Sequence, residues 1–263
     1  MIYVNHIQAG ISYRILISDD YIQNVYRFFS MFHIADYDLG LKSICQFSID
    51  HINDVFLLSF GDDKIVFDSI SECLLYVSDI IQHVSTPNFV GYYHSASCLS
   101  KNGKAILLIG ATMAGKTSLN MFLCKNGFLY LSDDVSIINR ELKVISMPTP
   151  VKIRRGIIYD DSFFDQYKIY ENNEIKVLGS LNSKTTEAAY DIVGAVFLHR
   201  GYGMKIEDMS SCELAEELMK NYAKIISMST QVAFTSKLAA KIKGYRLFYT
   251  SLDKELLKTI EAI

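Results

Sequence analysis

Between Ser69 and His83, apolar residues recur at Ile70, Cys73, Leu74, Val77, Ile80 and Ile81. Steps of three and four place them on one face of a helix. Upstream, Ser12–Ile17 and Asp54–Ser59 are strand-like. Lys64–Phe67 pairs with the second of these across the polar turn Gly61-Asp62-Asp63. Pro87 breaks the pattern. Residues 1–88 therefore read as a small α+β module, and residues 89–263 as a second domain.

In that domain Phe89–Leu99 reads as extended, and Lys101-Asn102-Gly103-Lys104 as a polar turn with an Asn-Gly pair. Ala105–Ile109 (AILLI) is continuously apolar, as strands buried on both faces are. A helix follows to about Asn126 with Gly127 as its C-cap, then a short buried strand, Phe128–Leu131. Further strands are expected at Val135–Ile138, Val151–Ile153, Ile192–Leu198 and Tyr245–Thr250. Helices are expected at Glu213–Met228, Val232–Lys241 and Asp253–Ala262. Asn172–Thr186 is polar and weakly patterned, and reads as a long loop able to close over a substrate.

Composition narrows the classes. A net charge of −3 gives no electrostatic case for nucleic acid as a partner. Five cysteines without metal-type spacing read as free thiols in a reducing compartment. No apolar run is long enough for a membrane span, and the start MIYVNHIQ lacks a signal-peptide pattern. The expected location is cytoplasmic, with no membrane partner.

The chemistry sits between AILLI and its helix. Gly110, Ala111, Thr112, Met113, Ala114, Gly115, Lys116 and Thr117 satisfy the phosphate-loop pattern G-x4-G-K-[ST], followed by Ser118. Glycines let backbone N–H groups crowd a polyphosphate, and the helix N-terminus adds free N–H groups and partial positive charge. Lys116 would neutralise the β- and γ-phosphates, and Thr117 would ligate Mg²⁺. Asp133 and Asp134 stand at the carboxyl end of the next strand, which returns beside the loop. One carboxylate would hold Mg²⁺ and the other accept a proton from an attacking hydroxyl.

The order loop, then paired aspartates on the very next strand, resembles the HPr kinase/phosphorylase family, including stand-alone HPr-kinase-like enzymes of peptide-modification gene clusters. The residues that carry it are His94-Ser95-Ala96-Ser97, then GATMAGKTSL, then NGFLYLSDD. The resemblance implies an α/β fold with an HPr-kinase-like phosphate-loop core, mainly β sheet with flanking helices, beside the N-terminal module. It also implies that Asp133, Lys116 and His94 serve catalysis and that Thr117 and Asp134 hold Mg²⁺. The family usually has glycine where this chain has Met113, and its members are often homo-oligomers.

Two further basic sites are candidates for substrate or phosphate contacts. Period-two alternation puts Lys152 and Arg154 on one face of their strand, and Arg200 ends the apolar strand Ile192–Leu198. The expected activity is transfer of the γ-phosphoryl of ATP or GTP to a hydroxyl, that of serine or threonine in a peptide or protein. A kinase of small hydroxyl metabolites and a nucleotide sensor without chemistry are the alternatives.

Overall fold

Strands carry most of the regular structure. The computed structural model describes residues 1–6, 10–30, 32–84, 91–99, 103–147, 149–154, 162–179, 181, 189–201, 203–223 and 227–263, with backbone alone at 82–84, 92, 98 and 99. The chain divides into two units: Met1–Pro87 with Thr149–Ser183, and Asn88–Pro148 with Lys184–Ile263. In chain order the first unit opens with β1 (Ile2–His6), β2 (Ile11–Leu16), α1 (Ile22–Phe28), β3 (His33–Ala35), β4 (Lys42–Ile52), β5 (Val55–Phe60), β6 (Asp63–Phe67) and α2 (Ile70–Val84). The second unit begins with β7 (Gly91–Tyr93), β8 (Ser95–Leu99), β9 (Ala105–Ile109), α3 (Lys116–Lys125), β10 (Leu129–Ser132), β11 (Ser136–Ile138) and β12 (Lys143–Ile145). The first unit resumes with β13 (Val151–Arg154), β14 (Lys168–Glu171) and β15 (Ile175–Leu178). The second closes with β16 (Ala189–Arg200), β17 (Lys205–Met209), α4 (Ser211–Lys220), α5 (Met228–Lys241), β18 (Lys243–Tyr249) and α6 (Lys254–Glu261).

The first unit holds a six-stranded sheet in the order β3-β1-β2-β4-β5-β6 and a three-stranded sheet, β13-β15-β14. Helix α2 buries Cys73, Leu74, Val77 and Ile81, four of the six residues in the stripe read from the sequence, while Ile70 and Ile80 are half-buried, and Ser69 Oγ accepts from the Glu72 N–H at its start. Residues 149–183 depart from the expected partition, which placed them in the second domain. Their strands are tied to the helices of the first unit. Lys152 pairs with Asp79 on α2, Tyr170 Oη donates to Glu72 Oε1 at 2.7 Å, and Arg27 Nη2 on α1 donates to the Lys168 carbonyl at 3.0 Å.

Part of the expected long loop is ordered as a hairpin. β14 and β15 pair across Asn172, whose Oδ1 accepts from the Glu174 and Ile175 N–H groups at 2.8 Å each. An asparagine supplying such a local turn is enough to reverse the chain. Residues 180 and 182–186 of that segment lie outside the described residues, as do Pro87, the Lys101-Asn102 half of the expected turn, and Arg155.

The second unit is a mixed α/β body with a sheet at its core and helices on its faces. Its nine-stranded sheet runs β10-β8-β9-β16-β12-β11-β7, with β18 beside β16 and β17 beside β18. Strands β9, β16 and β18 are mutually parallel. Leu107 and Ile109 pack with Leu214, Leu218, Phe234 and Leu238 of α4 and α5. Ile106 and Leu108 pack with Leu119 and Leu123 of α3 and Leu256 and Ile260 of α6. Helices thus cover β9 from both sides, which is why its sequence is apolar at every position.

The helix expected over Glu213–Met228 is instead split. α4 ends at Lys220 with Asn221 as its C-cap, and α5 opens behind Ser227, whose Oγ accepts from the Thr230 N–H at 3.3 Å. A serine N-cap favours a fresh start over continuation.

Candidate active site

The loop between β9 and α3 needs two left-handed residues. Met113 sits at φ 67° and Gly115 at φ 94°. Ala114 N–H donates to the Ala111 carbonyl at 3.0 Å, closing a turn whose third residue is Met113, at positive φ as in a type II turn. Methionine is strained there where glycine is not, and its side chain is 75% exposed. Methionine therefore occupies the crest of the turn without loss of the turn. At Gly110 a Cβ would stand 2.9 Å from the Ala114 Cβ and 3.2 Å from the Leu198 carbonyl oxygen, so the strand end admits only hydrogen.

Helix α3 then begins at Lys116, presenting its first N–H groups to the loop. Lys116 Nζ donates to the carbonyls of Gly110 at 2.8 Å and Ala111 at 3.1 Å, so its ammonium lies across the loop. Burial lowers the Lys116 pKa, and the charges of Asp133 and Asp134 oppose that fall. Thr117 Oγ1 donates to the Asp133 carboxylate, at 2.9 Å to Oδ2 and 3.2 Å to Oδ1.

Asp133 is 3% exposed. Burial pushes its carboxyl up to about 7. The neighbouring Asp134 charge adds to the rise, while the Thr117 hydroxyl, the Asp134 backbone N–H and Lys116 pull the other way. The chain is held around it by polar contacts. Asn120 Nδ2 on α3 donates to the Ser132 carbonyl at 3.0 Å, Ser132 Oγ meets Ser97 Oγ at 2.6 Å and Ser136 Oγ at 3.2 Å, and Ser136 Oγ donates to the Ser95 carbonyl. Beyond Asp133 the backbone reverses in a γ-turn: Val135 N–H donates to the Asp133 carbonyl at 2.7 Å across Asp134, which sits at φ 61°. Backbone strain of this kind turns Asp134 outward, and its side chain is exposed.

The other candidates divide. His94 is exposed and immediately precedes Ser95, which pairs with Ile109 at the root of the loop. Its own N–H donates to the Asn221 carbonyl at 2.9 Å. Arg200 ends β16 and is the register partner of Tyr249. Lys152 and Arg154 belong to β13 of the first unit, where Lys152 is engaged by Asp79. Ser118 is buried at the start of α3.

Three contributors escaped the sequence analysis. Tyr249 Oη donates to the Ala114 carbonyl at 2.9 Å from 135 positions away, a distance at which no local pattern could signal it. Asn120 had a weak signal, since asparagine inside a helix is unfavourable unless it bonds elsewhere. The serines 95, 97, 132 and 136 are fully buried and act as a group, which their scatter conceals.

Among the described residues no group of three or more His, Cys, Asp or Glu side chains could by itself hold a metal ion, and no helix is long and apolar enough to cross a membrane. A hydroxyl and a carboxylate in contact do fit Mg²⁺, which takes oxygen ligands, one or two carboxylates at a time, and completes its shell with phosphates and water. No family model matches the chain, and no curated protein matches it. The solved structure of the Hpr(Ser) kinase/phosphatase from Coxiella burnetii is similar over 65% of this chain and 91% of its own, at 12% identity and a TM-score of 0.30, values too low to assign a fold or an activity.

Proposed function

We propose that this chain is a Mg²⁺-dependent kinase that transfers the γ-phosphoryl of ATP or GTP to a hydroxyl, that of serine or threonine in a peptide or protein. The observation that carries the proposal is the 2.9 Å bond from the loop hydroxyl of Thr117 to the buried carboxylate of Asp133. It supports reading Asp133 as the acid/base group, beside the residue that would face the phosphates.

In this reading the loop N–H groups and Lys116 stabilise the charge that develops on the transferred group. A polyphosphate, being charged, is a better acceptor for the Lys116 ammonium than the two carbonyls it now meets. Thr117, with Asp133 or Asp134, would hold Mg²⁺, which when bound neutralises phosphate charge. The acceptor oxygen forms its bond to the γ-phosphorus as the bond to the β–γ bridging oxygen breaks. The acceptor proton passes to Asp133, and the nucleoside diphosphate leaves. The first unit would supply acceptor recognition: its six-stranded sheet ends at β6, an edge to which an extended peptide can add.

The test is mass spectrometry of candidate peptides and proteins incubated with the enzyme and Mg²⁺-ATP. The proposal expects a phosphate gained on a hydroxyl, lost in Asp133→Asn while nucleotide binding persists. Phosphorylation of small hydroxyl compounds alone would reassign the acceptor. Binding without transfer to any acceptor would leave a sensor.

A further inference from the structure

Tyr249 closes β18, and its register partner across the parallel pair, Arg200, closes β16. Both stand at the carboxyl ends of strands parallel to β9, the strand that feeds the loop. Parallel sheets bind their ligands at that end. The Tyr249 ring is 2% exposed and packs with Leu198, Leu247 and Leu256, so its hydroxyl has little freedom. That hydroxyl donates to the Ala114 carbonyl at 2.9 Å, and the Arg200 guanidinium lies close enough to offset part of the rise that burial gives the Tyr249 pKa.

Two consequences follow for the loop. A trans peptide points its C=O and N–H in opposite directions. Holding the Ala114 carbonyl against Tyr249 therefore aims the Gly115 N–H away from β18, to the side open to phosphate. Gly115 itself is pressed against the pair: a Cβ there would stand 2.3 Å from Tyr249 Oη and 3.8 Å from Arg200 Nε. Arg200 is otherwise exposed, and among the described residues no carboxylate pairs with it.

We propose that Tyr249 is a positioning residue of the phosphate loop, and that Arg200, held beside Gly115 by the Tyr249 hydroxyl, supplies the second cation of the polyphosphate site after Lys116. This rests on the nucleotide-binding reading above. A guanidinium suits the role because its fork can contact phosphate oxygens in pairs.

The experiment titrates full-length protein with a fluorescent ADP analogue and follows it with steady-state kinetics in ATP. Tyr249→Phe keeps the ring and removes the hydroxyl. It is expected to weaken nucleotide binding by about three- to tenfold and to raise the nucleotide KM, with kcat changed by less than about twofold. Arg200→Ala is expected to weaken binding by about tenfold, and Arg200→Lys to recover part of the loss. Because the two residues act as a unit, the double variant should lose less than the product of the single losses. Wild-type binding by Tyr249→Phe, or independent single losses, would overturn the proposal. So would a fall in kcat that tracks a lowered melting temperature, the mark of a merely structural tyrosine. Failure of the wild type to bind nucleotide any better than Lys116→Ala would bring down the nucleotide reading, and this inference with it.

Discussion

The two units treat buried polar atoms in opposite ways. In the second unit, Ser97, Ser132, Ser136, Asn120 and Asp133 are buried, and all are hydrogen-bonded around the strand ends that carry the site. In the first, Asn5 Oδ1, Ser12 Oγ, Arg14 Nε and Ser78 Oγ are buried without a partner, and they are the only such side-chain atoms among the described residues. Asn5 and Ser12 even face each other across β1 and β2. A matched network fixes side chains in one geometry, which the proposed phosphoryl site would require. An unmatched polar atom costs stability and fixes nothing. The difference locates where this chain has committed its buried polarity to a task.

The contrast can be pressed experimentally, beginning with the largest effect. Lys116→Ala removes the cation that lies across the loop and should reduce turnover by at least about 100-fold. Its unfolding midpoint should stay close to wild type, because among the described residues Lys116 Nζ hydrogen-bonds only to the loop carbonyls of Gly110 and Ala111. Ser132→Ala breaks two hydroxyl contacts at once and should destabilise the protein by about 1–3 kcal/mol in urea unfolding.

Asp133→Asn should separate stability from activity. The folded carboxyl titrates at about 7, against an ordinary 3.8. Between those values the unfolded chain releases its proton while the folded one keeps it, so wild-type stability falls as pH rises from about 4 to 7. The asparagine variant escapes that fall. In metal-free buffer its melting temperature should match wild type near pH 4 and lie well above it at pH 8. A gap that stays constant with pH would mean that the carboxyl does not titrate in this range. Ser12→Ala, at the other extreme, removes a hydroxyl with nothing to lose, and should change stability by less than about 0.5 kcal/mol or raise it slightly.

Legibility followed sequence distance. Ala105–Ile109 was read to the residue, because a strand covered on both faces is written as an unbroken apolar run. Helix α3 was equally plain, since it runs from the end of the G-x4-G-K-[ST] pattern to just before Gly127. The Thr117–Asp133 contact was implied by the return of β10 beside the loop. Which aspartate turns inward was not, because that depends on the γ-turn at Asp134. The hairpin of β14 and β15 was hidden by its polar turn, Asn172-Asn173-Glu174, although Ile175 and Val177 alternate as a strand should. The membership of residues 149–183 was invisible, because Val151 pairs with Leu178 and Lys152 meets Asp79, neither of them a neighbour along the chain.

That last feature bears on how the molecule is made. The ribosome delivers Met1–Pro87 first, but the unit they belong to is finished only by Thr149–Ser183, after Asn88–Pro148 has been synthesised. At about 5–20 residues per second the wait is on the order of 10 s, long compared with the folding of most small domains. Throughout that interval α2 carries Glu72 and Asp79 ahead of Tyr170 and Lys152, which have yet to emerge. Anyone grafting the N-terminal unit onto another protein must transplant two segments, because a cut at residue 88 leaves its three-stranded sheet behind.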